Sequence, residues 1–252
     1  LEAMPCKASA MLYFNSIRTA CEAVQRLKGS PAGSIELLDR LALRSIENMD
    51  GIPAFIRQLP EDGTALLVET TARTEEQLRQ NIDQINAIID PSQLAAPIQF
   101  TSKPEEYSKY WSIRSGVFPS VGAMRRPGTS CLIEDVVFPM DKLPDATVDL
   151  QHMIADYGYE DGVIYGHSIE GNYHFIINED FSDPSRINHF DCFLHDIARL
   201  VVEKYDGSLK GEHGTGRNIA PYVAYEWGEE LWQVMCDIKK LFDPESILNR
   251  GV

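Results

Sequence analysis

The order of strand-like and helix-like segments constrains the fold of this chain most strongly. Apolar strand patterns and amphipathic helix patterns alternate within residues 1–103, and a similar rhythm restarts within residues 104–252. The first stretch reads β-α-β-β-α-β, which is the order of a ferredoxin-like unit. Its strands are predicted at residues 9–14, 34–39, 64–70 and 98–101. The chain is therefore predicted to have an α+β fold, with two ferredoxin-like subdomains on antiparallel sheet and a helical C-terminal segment.

The second stretch is predicted to begin with a helix and a long loop. Residues 107–115 have helical periodicity, whereas residues 116–129 contain three glycines and two prolines and are predicted to form a loop. Further elements are predicted as a strand at 130–138, helices at 141–157, 186–205 and 220–242, and a hairpin at 162–177. The first subdomain is accordingly assigned to residues 1–103 and the second to residues 104–252.

Two segments about forty residues apart contain the residues best suited to chemistry. They are GHSIEGNYH at 166–174 and GEHGTGR at 211–217. Glu170-Gly171 lies between two β-rich runs, so a turn there would pair His167 with His174 on one face of a sheet. Two such imidazoles can bind one metal ion, to which Glu212 would add an oxygen ligand. Alternatively, the histidines are half-buried sheet residues and the glycine-rich segment is a flexible surface turn.

Three further side chains are candidates on weaker grounds. Arg114 follows Trp111 on a predicted helix and is suited to binding a carboxylate, although a surface arginine is the commoner case. Asp135 lies within an apolar strand, where it could orient a ligand or be an edge-strand charge. Glycines around Glu212 would let His213 face a substrate while Glu212 binds the metal. His152, His189 and His195 are interpreted as structural.

Composition excludes several classes of function. The net charge is −15 and no basic stripe is present, so neither nucleic acid nor an anionic lipid surface is an expected partner. No run of eighteen apolar residues predicts a transmembrane segment. Five scattered cysteines favour a reducing compartment and argue against an iron–sulfur site within the chain. A cytoplasmic protein is therefore expected, with peripheral contact to the inner membrane as an alternative.

Several motifs together resemble the C-terminal substrate domain of FAD-linked oxidases, in the D-lactate and D-2-hydroxyglutarate dehydrogenase branch. The segment 166–174 is similar to that family's His-x-x-x-Gly-Asn-x-His motif, and 211–216 to its Gly-Glu-His-Gly-x-Gly signature. Residues 111–114, 134–139 and 242–249 add to the resemblance, which is close from about residue 100 onward and loose before it. Ile176 stands where some 2-hydroxyglutarate enzymes have Asn, which leaves the substrate open.

The resemblance implies a role for each matching residue. His167, His174 and Glu212 would bind a divalent metal, most simply zinc, while His213 would be the catalytic base. Arg114 would bind the substrate carboxylate, and Asn249 would contact the cofactor. The implied reaction is oxidation of a D-2-hydroxy acid, such as D-lactate or D-2-hydroxyglutarate, to the 2-oxo acid with hydride transfer to FAD.

The same resemblance implies that the chain works as part of a larger flavoprotein. FAD would be bound mainly by an N-terminal FAD-binding domain that this chain lacks, and some relatives continue into a downstream iron–sulfur domain. The isolated chain is therefore expected to be inactive. Two alternatives from other classes stay open: a stand-alone metal-dependent hydrolase or lyase that uses the His/His/Glu site, and a non-catalytic binding module with structural histidines.

Overall fold

A computed structural model describes residues 4–49 and 52–250 of the chain. Within these residues, six strands form one antiparallel sheet in the order β1-β3-β2-β5-β6-β4. The strands are β1 (Cys6–Phe14), β2 (Ser34–Leu38), β3 (Thr64–Ala72), β4 (Ser130–Val137), β5 (Val163–His167) and β6 (Asn172–Glu179). The α-helices are α1 (Ile17–Leu27), α2 (Arg40–Ile46), α3 (Glu75–Ile88), α4 (Pro104–Met124), α5 (Leu143–Asp156), α6 (Pro184–Arg199), α7 (Gly216–Ile219), α8 (Val223–Trp227) and α9 (Glu229–Phe242).

The two halves of the sheet have the same strand order. In the first half, Thr101 bridges to Ser9 of β1, and β3 lies between β1 and β2. In the second half, Ser208 bridges to Val137 of β4, and β6 lies between β4 and β5. Each half is thus a ferredoxin-like unit, which confirms the predicted α+β fold class. The halves join where β2 pairs with β5, so one sheet crosses the predicted boundary between subdomains.

A separate hydrophobic core covers each face of the sheet. One core packs α1, α3, α5 and α6 against Phe14, Leu37 and Phe175. The other packs α2 and α4 against Leu38 and Tyr165; this side of the sheet is called the α4 face below. Since successive residues of a strand point to opposite sides, neighbours such as Leu37 and Leu38 contribute to different cores. The same alternation determines which polar side chains of the strands share the α4 face.

Helix α4 is longer than the sequence predicts. The predicted loop at 116–129 is wrong up to Met124, because the helix continues through Gly116 and Pro119. Ile113, Val117 and Val121 are spaced four residues apart, and all three are buried against the α4 face. Burial of this stripe offsets the cost of an interior proline, about 3 kcal/mol, and of each helical glycine, about 1 kcal/mol.

The hairpin between β5 and β6 has a wider turn than predicted. His174 pairs with Tyr165, and not with His167 as the sequence predicts. His167 instead pairs with Glu36 of β2, and the Ser168 hydroxyl donates to the Ile35 carbonyl at 2.9 Å. These bonds to β2 draw the end of β5 away from β6. The register shifts by two residues, and a shift of two keeps both histidines on the predicted face.

The C-terminal segment is helical, as predicted, but it is broken into short pieces. Gly228 has a left-handed φ of +83° and separates α8 from α9. Helix α9 presents Leu231, Val234 and Ile238 to solvent, each more than half exposed. The buried Asp243 carboxylate accepts backbone N–H groups of the following turn and so closes this segment. In the part of the chain that the structure describes, no helix is long and apolar enough to cross a membrane.

Candidate metal centre

Four polar side chains lie on the α4 face, on neighbouring strands near the junction between the halves of the sheet. They are Glu36, His167, His174 and Asp135. His167 ends β5, and His174 lies in β6 between Tyr165 and Asp135 of the neighbouring strands. Glu36 lies opposite His167 on β2. These residues share a face because directly opposed residues of neighbouring strands point the same way. The sheet therefore brings together two histidines and two carboxylates that are distant in sequence.

Glu212 completes a three-ligand group with His167 and His174. Its Oε1 atom lies 3.3 Å from Nε2 of His167 and 3.0 Å from Nε2 of His174. One nitrogen or oxygen from each of the three residues lies within 4.8 Å of the others. Ligands bound at about 2.1 Å around a tetrahedral ion lie about 3.4 Å apart, so this spacing fits a zinc-sized cation. The three residues predicted from sequence converge, and their donor set suits such a metal.

Glu36 forms a hydrogen bond with the ring of His167. Its Oε1 atom lies 2.6 Å from His167 Nδ1, which leaves Nε2 facing Glu212. This carboxylate–histidine arrangement is typical of metal-binding histidines. The hydrogen bond to Glu36 raises the pKa of His167 and outweighs the opposing effect of burial. Burial raises the pKa of Glu36. The hydrogen bond from His167 and the charge of Arg114 together lower it by more, so the net shift of the pKa is downward.

His174 is the most buried of the candidate ligands. Its side chain is 4% exposed, and its Nδ1 atom has no hydrogen-bond partner among the described residues. Burial, assisted by the nearby His213, lowers the pKa of His174 to about 4. The imidazole is therefore neutral near pH 7, which is the state that a metal ligand requires.

Asp135 holds the glycine-rich loop, residues 211–216, over the sheet. One carboxylate oxygen, Oδ2, accepts the backbone N–H groups of Gly211 at 2.8 Å and of Glu212 at 2.7 Å. A Cβ atom at Gly211 would lie 2.3 Å from Nδ2 of Asn172, so only glycine fits there. Burial raises the pKa of Asp135, but the backbone bonds and Lys210 produce a net lowering. Asp135 thus orients Glu212 through its backbone.

His213 lies between Asp135 and its neighbour Glu212, with Nε2 4.0 Å from Glu212 Oε1. Its ring stacks on that of His174 with centroids 4.7 Å apart and an interplanar angle of 3°. Nδ1 lies 3.8 Å from Asp135 Oδ1, and the side chain is 31% exposed. Asp135, His174 and His213 form a second possible metal group. Asp135 is already hydrogen-bonded to the loop backbone, which favours the group with Glu212. His213 borders the centre and reaches solvent.

Arg114 lies beside the centre as well. Its Nε donates to Oε2 of Glu36 at 2.8 Å, and its guanidinium lies 5.1 Å from the centroid of the Tyr165 ring. The side chain is only 19% exposed, so Arg114 is not an ordinary surface arginine. The structure does not bring Asn249 into this group. Asn249 lies in the exposed segment after α9, and its contact with a cofactor stays a prediction.

Sequence reasoning missed Glu36, which contacts both His167 and Arg114. The residue lies inside the apolar strand β2 and is 2% exposed. A lone carboxylate within an apolar strand is a signal that it needs buried partners. The partners themselves lie 78 and 131 positions away, so no local pattern identifies them.

Comparisons with known proteins agree with the motifs. A sequence profile described as FAD linked oxidases, C-terminal domain, matches residues 4–252. A mitochondrial D-lactate dehydrogenase (cytochrome) of Arabidopsis thaliana is 28% identical over 96% of this chain and 41% of its own length. The glycolate oxidase subunit GlcD of Escherichia coli (strain K12) is 26% identical over 98% of this chain and 48% of its own length.

Another relative is named for a third 2-hydroxy acid. A probable mitochondrial D-2-hydroxyglutarate dehydrogenase of Oryza sativa subsp. indica is 28% identical over 90% of this chain and 39% of its own length. The chain thus spans less than half the length of each of these three relatives. Among solved structures, 4-ethylphenol oxidase from Gulosibacter chungangensis, in complex with isoeugenol, has a TM-score of 0.66 at 14% identity. That match covers 100% of this chain and 54% of the oxidase, and it shows the fold alone.

Proposed function

The chain belongs to the family of FAD-linked oxidase C-terminal domains, and from that premise we propose that it binds the substrate and a divalent metal in a flavoprotein dehydrogenase. The substrate would be a D-2-hydroxy acid of the D-lactate or D-2-hydroxyglutarate type, oxidised to the 2-oxo acid. FAD would be bound mainly by an N-terminal domain of the same polypeptide. A downstream iron–sulfur domain and a cytoplasmic location stay predictions.

One observation carries the proposal: a buried histidine, a second histidine and a carboxylate converge beside an arginine. His174, His167 and Glu212 supply the donors, and Arg114 lies on the same face through its bond to Glu36. A 2-hydroxy acid has a hydroxyl and a carboxylate on adjacent carbons. A cation beside a guanidinium is suited to binding both groups, which an acidic protein otherwise repels.

Each residue would have its own part in the reaction. A divalent ion bound by His167, His174 and Glu212 would lower the pKa of the substrate hydroxyl. Arg114 would bind the carboxylate and fix the orientation of the α-carbon. His213, next to the centre and partly open to solvent, would take the hydroxyl proton and pass it to water. The hydride on the α-carbon would leave for FAD, whose ring system supplies the electron-accepting chemistry.

The names of the relatives support the substrate class. Lactate, glycolate and 2-hydroxyglutarate all contain a hydroxyl group on the carbon next to a carboxylate. That shared group is the one that the candidate metal centre and Arg114 would bind. The rest of the substrate differs among the three acids, so residues outside this group would select among them.

The test uses the full-length polypeptide that contains this chain. The purified flavoprotein should contain about one divalent metal per chain, and D-lactate or D-2-hydroxyglutarate should bleach its flavin under anaerobic conditions. Chelation should abolish bleaching, and added zinc should restore it. His195→Ala is a suitable control, because His195 lies on α6 and is exposed.

Two outcomes would contradict the proposal. Undiminished bleaching by the metal-free enzyme would show that the metal takes no part in the reaction. A flavin that no 2-hydroxy acid reduces would show that the proposed substrate class is wrong. A metal-dependent hydrolase or lyase would instead turn over substrate without any change in the flavin spectrum.

A further inference from the structure

A single buried carboxylate connects the candidate metal ligand His167 to the candidate substrate residue Arg114. Glu36 uses Oε1 for His167 Nδ1 at 2.6 Å and Oε2 for Arg114 Nε at 2.8 Å. Its side chain is 3% exposed, so water does not compete for either oxygen. Burying a carboxylate is costly unless its oxygens are hydrogen-bonded, and here one oxygen is bonded to His167 and the other to Arg114.

We propose that Glu36 is a positioning residue that sets the metal ligand His167 and the substrate-binding Arg114 together. The metal site and the carboxylate site would then be coupled, because one side chain orients both. This inference rests on the proposed function, since it assigns a cause to the geometry of that site. It adds a residue that neither the sequence motifs nor the convergent three-ligand group contains.

The coupling to His167 acts through the tautomer of its ring. A neutral imidazole that donates Nδ1–H to Glu36 has its lone pair on Nε2. That nitrogen lies 3.3 Å from Oε1 of Glu212, on the side where the metal would bind. Without the acceptor, the ring could rotate or bear its proton on Nε2, and either change removes a ligand. Loss of such a hydrogen bond typically weakens metal binding about 10–100-fold.

The coupling to Arg114 acts through the direction of its guanidinium. Arg114 comes from α4, whereas Glu36 comes from the sheet beneath it. The bond from Nε fixes one edge of the guanidinium, and the Tyr165 ring lies 5.1 Å from it. The two Nη groups then extend from a fixed base, and they are the groups that bind a carboxylate bidentately. A freely rotating arginine would bind the same substrate less tightly.

Glutamine at position 36 separates this role from simple space filling. The side chain has almost the same shape as glutamate, but its amide has one acceptor oxygen and one NH₂ donor group. It can therefore accept from His167 or from Arg114, but not from both. Glu69 offers a matched control on the same face. It accepts from Trp111 Nε1 at 2.7 Å and pairs with Lys7, and neither partner belongs to the candidate site.

The experiment compares wild type, Glu36→Gln and Glu69→Gln in the full-length flavoprotein. Zinc affinity is measured by competition with a chelator, and KM and kcat are measured with the 2-hydroxy acid that reduces the flavin. Glu36→Gln should weaken zinc binding about 10–100-fold and raise KM. Glu69→Gln should leave both near wild type. Equal zinc affinity and KM in wild type and Glu36→Gln would overturn the inference.

A double-mutant cycle tests the coupling itself. If Glu36 affects KM through Arg114, Glu36→Gln should raise KM little further in an Arg114→Ala background. Fully additive changes in KM would overturn that link. Should Glu36→Gln fold poorly, nitrogen NMR of the metal-free wild type gives an independent answer. At a pH where His167 is neutral, its proton should be on Nδ1, and a proton on Nε2 would contradict the inference.

The two proposals fail in different ways. A wild-type flavoprotein that binds no metal and is reduced by no 2-hydroxy acid contradicts the proposed function. A wild type that does both, with a Glu36→Gln variant that matches Glu69→Gln, contradicts only the role of Glu36.

Discussion

At the scale of single residues, adjacent side chains of the glycine-rich loop make different contacts. Glu212 reaches His167 and His174, while His213 stacks on the ring of His174. Asp135 accepts the backbone N–H of Glu212 and so holds the loop in place. The side-chain carboxylate of Glu212 is therefore left free to contact the two histidines. The proposed metal ligand and the proposed base are therefore neighbouring residues with separate contacts.

His213→Ala in the full-length enzyme should separate these two roles. Turnover should fall about 10²–10⁴-fold, the usual contribution of a positioned base. Metal content should stay near wild type, because Glu212, His167 and His174 are intact. Steady-state kinetics beside elemental analysis provides the measurement, with His195→Ala as the control. Near-normal turnover at full metal occupancy would show that another residue is the base.

At the scale of elements, a half-buried ion pair between Glu179 and Arg186 connects the end of β6 to the start of α6. Arg186 donates to both oxygens of Glu179, from Nε at 2.7 Å and from Nη2 at 2.8 Å. The Tyr159 hydroxyl also donates to Glu179, whose carboxylate is 1% exposed. Burial raises the pKa of Glu179, but these hydrogen bonds together lower it by more. The pKa of Glu179 therefore lies below its ordinary value of 4.5.

This pair predicts how stability depends on pH. A lowered carboxyl pKa means that the unfolded state binds the proton more readily. The contribution of Glu179 is therefore complete above about pH 4.5 and is lost as the pH falls through the folded-state pKa. Glu179→Gln should lower the unfolding free energy by about 1–3 kcal/mol at pH 7 and by less at pH 3. Chemical denaturation at both values measures the difference.

Glu170→Gln is the matched control for that prediction. Glu170 pairs with Lys28 at 3.0 Å, but the two side chains are 71% and 42% exposed. Removal of an exposed pair should change stability by less than about 1 kcal/mol at either pH. If Glu179→Gln has an equally small effect, the Glu179–Arg186 pair does not stabilise the connection between β6 and α6.

At the scale of the whole molecule, Asp39 fastens the two halves of the sheet together. Its Oδ1 accepts the N–H of Ala42 and caps α2, while its Oδ2 accepts the N–H of Ile164 on β5 at 2.9 Å. Asp39→Ala should destabilise the fold by about 2–4 kcal/mol, because a cap is lost and a buried N–H is left without a partner. Thr74→Ala removes only the cap of α3 and should cost about 1 kcal/mol. Equal losses for the two variants, measured by denaturation, would contradict a role for Asp39 at the junction.

The isolated chain should neither bind FAD tightly nor oxidise a 2-hydroxy acid. The reason is that the proposed function gives flavin binding to another part of the polypeptide. The chain spans less than half the length of each of the three relatives named above. Purification of residues 1–252 followed by absorbance spectroscopy and an activity assay tests this expectation. A yellow protein with a flavin spectrum would show that the chain itself contains a flavin site.

The sequence alone determined the fold class and the identity of three candidate ligands. Strand and helix order predicted two ferredoxin-like units, since hydrophobic periodicity is a local property of the chain. The N-cap of α3 is equally local, since the Thr74 hydroxyl accepts the N–H of Gln77, three residues further on. The histidine and glycine motifs named His167, His174 and Glu212, and these residues do converge.

Only the tertiary structure decided the pairing register, the length of α4 and the partners of the ligands. His167 pairs with Glu36 because β5 meets β2 at the centre of the sheet, and no nearby residue in the sequence encodes that meeting. Helix α4 extends through Pro119 because burial of Val117 and Val121 favours it more than local propensity opposes it. Contacts between segments that are distant in sequence form only when the chain packs its hydrophobic cores. Glu36 and its hydrogen bonds to His167 and Arg114 can therefore be identified only in the folded molecule.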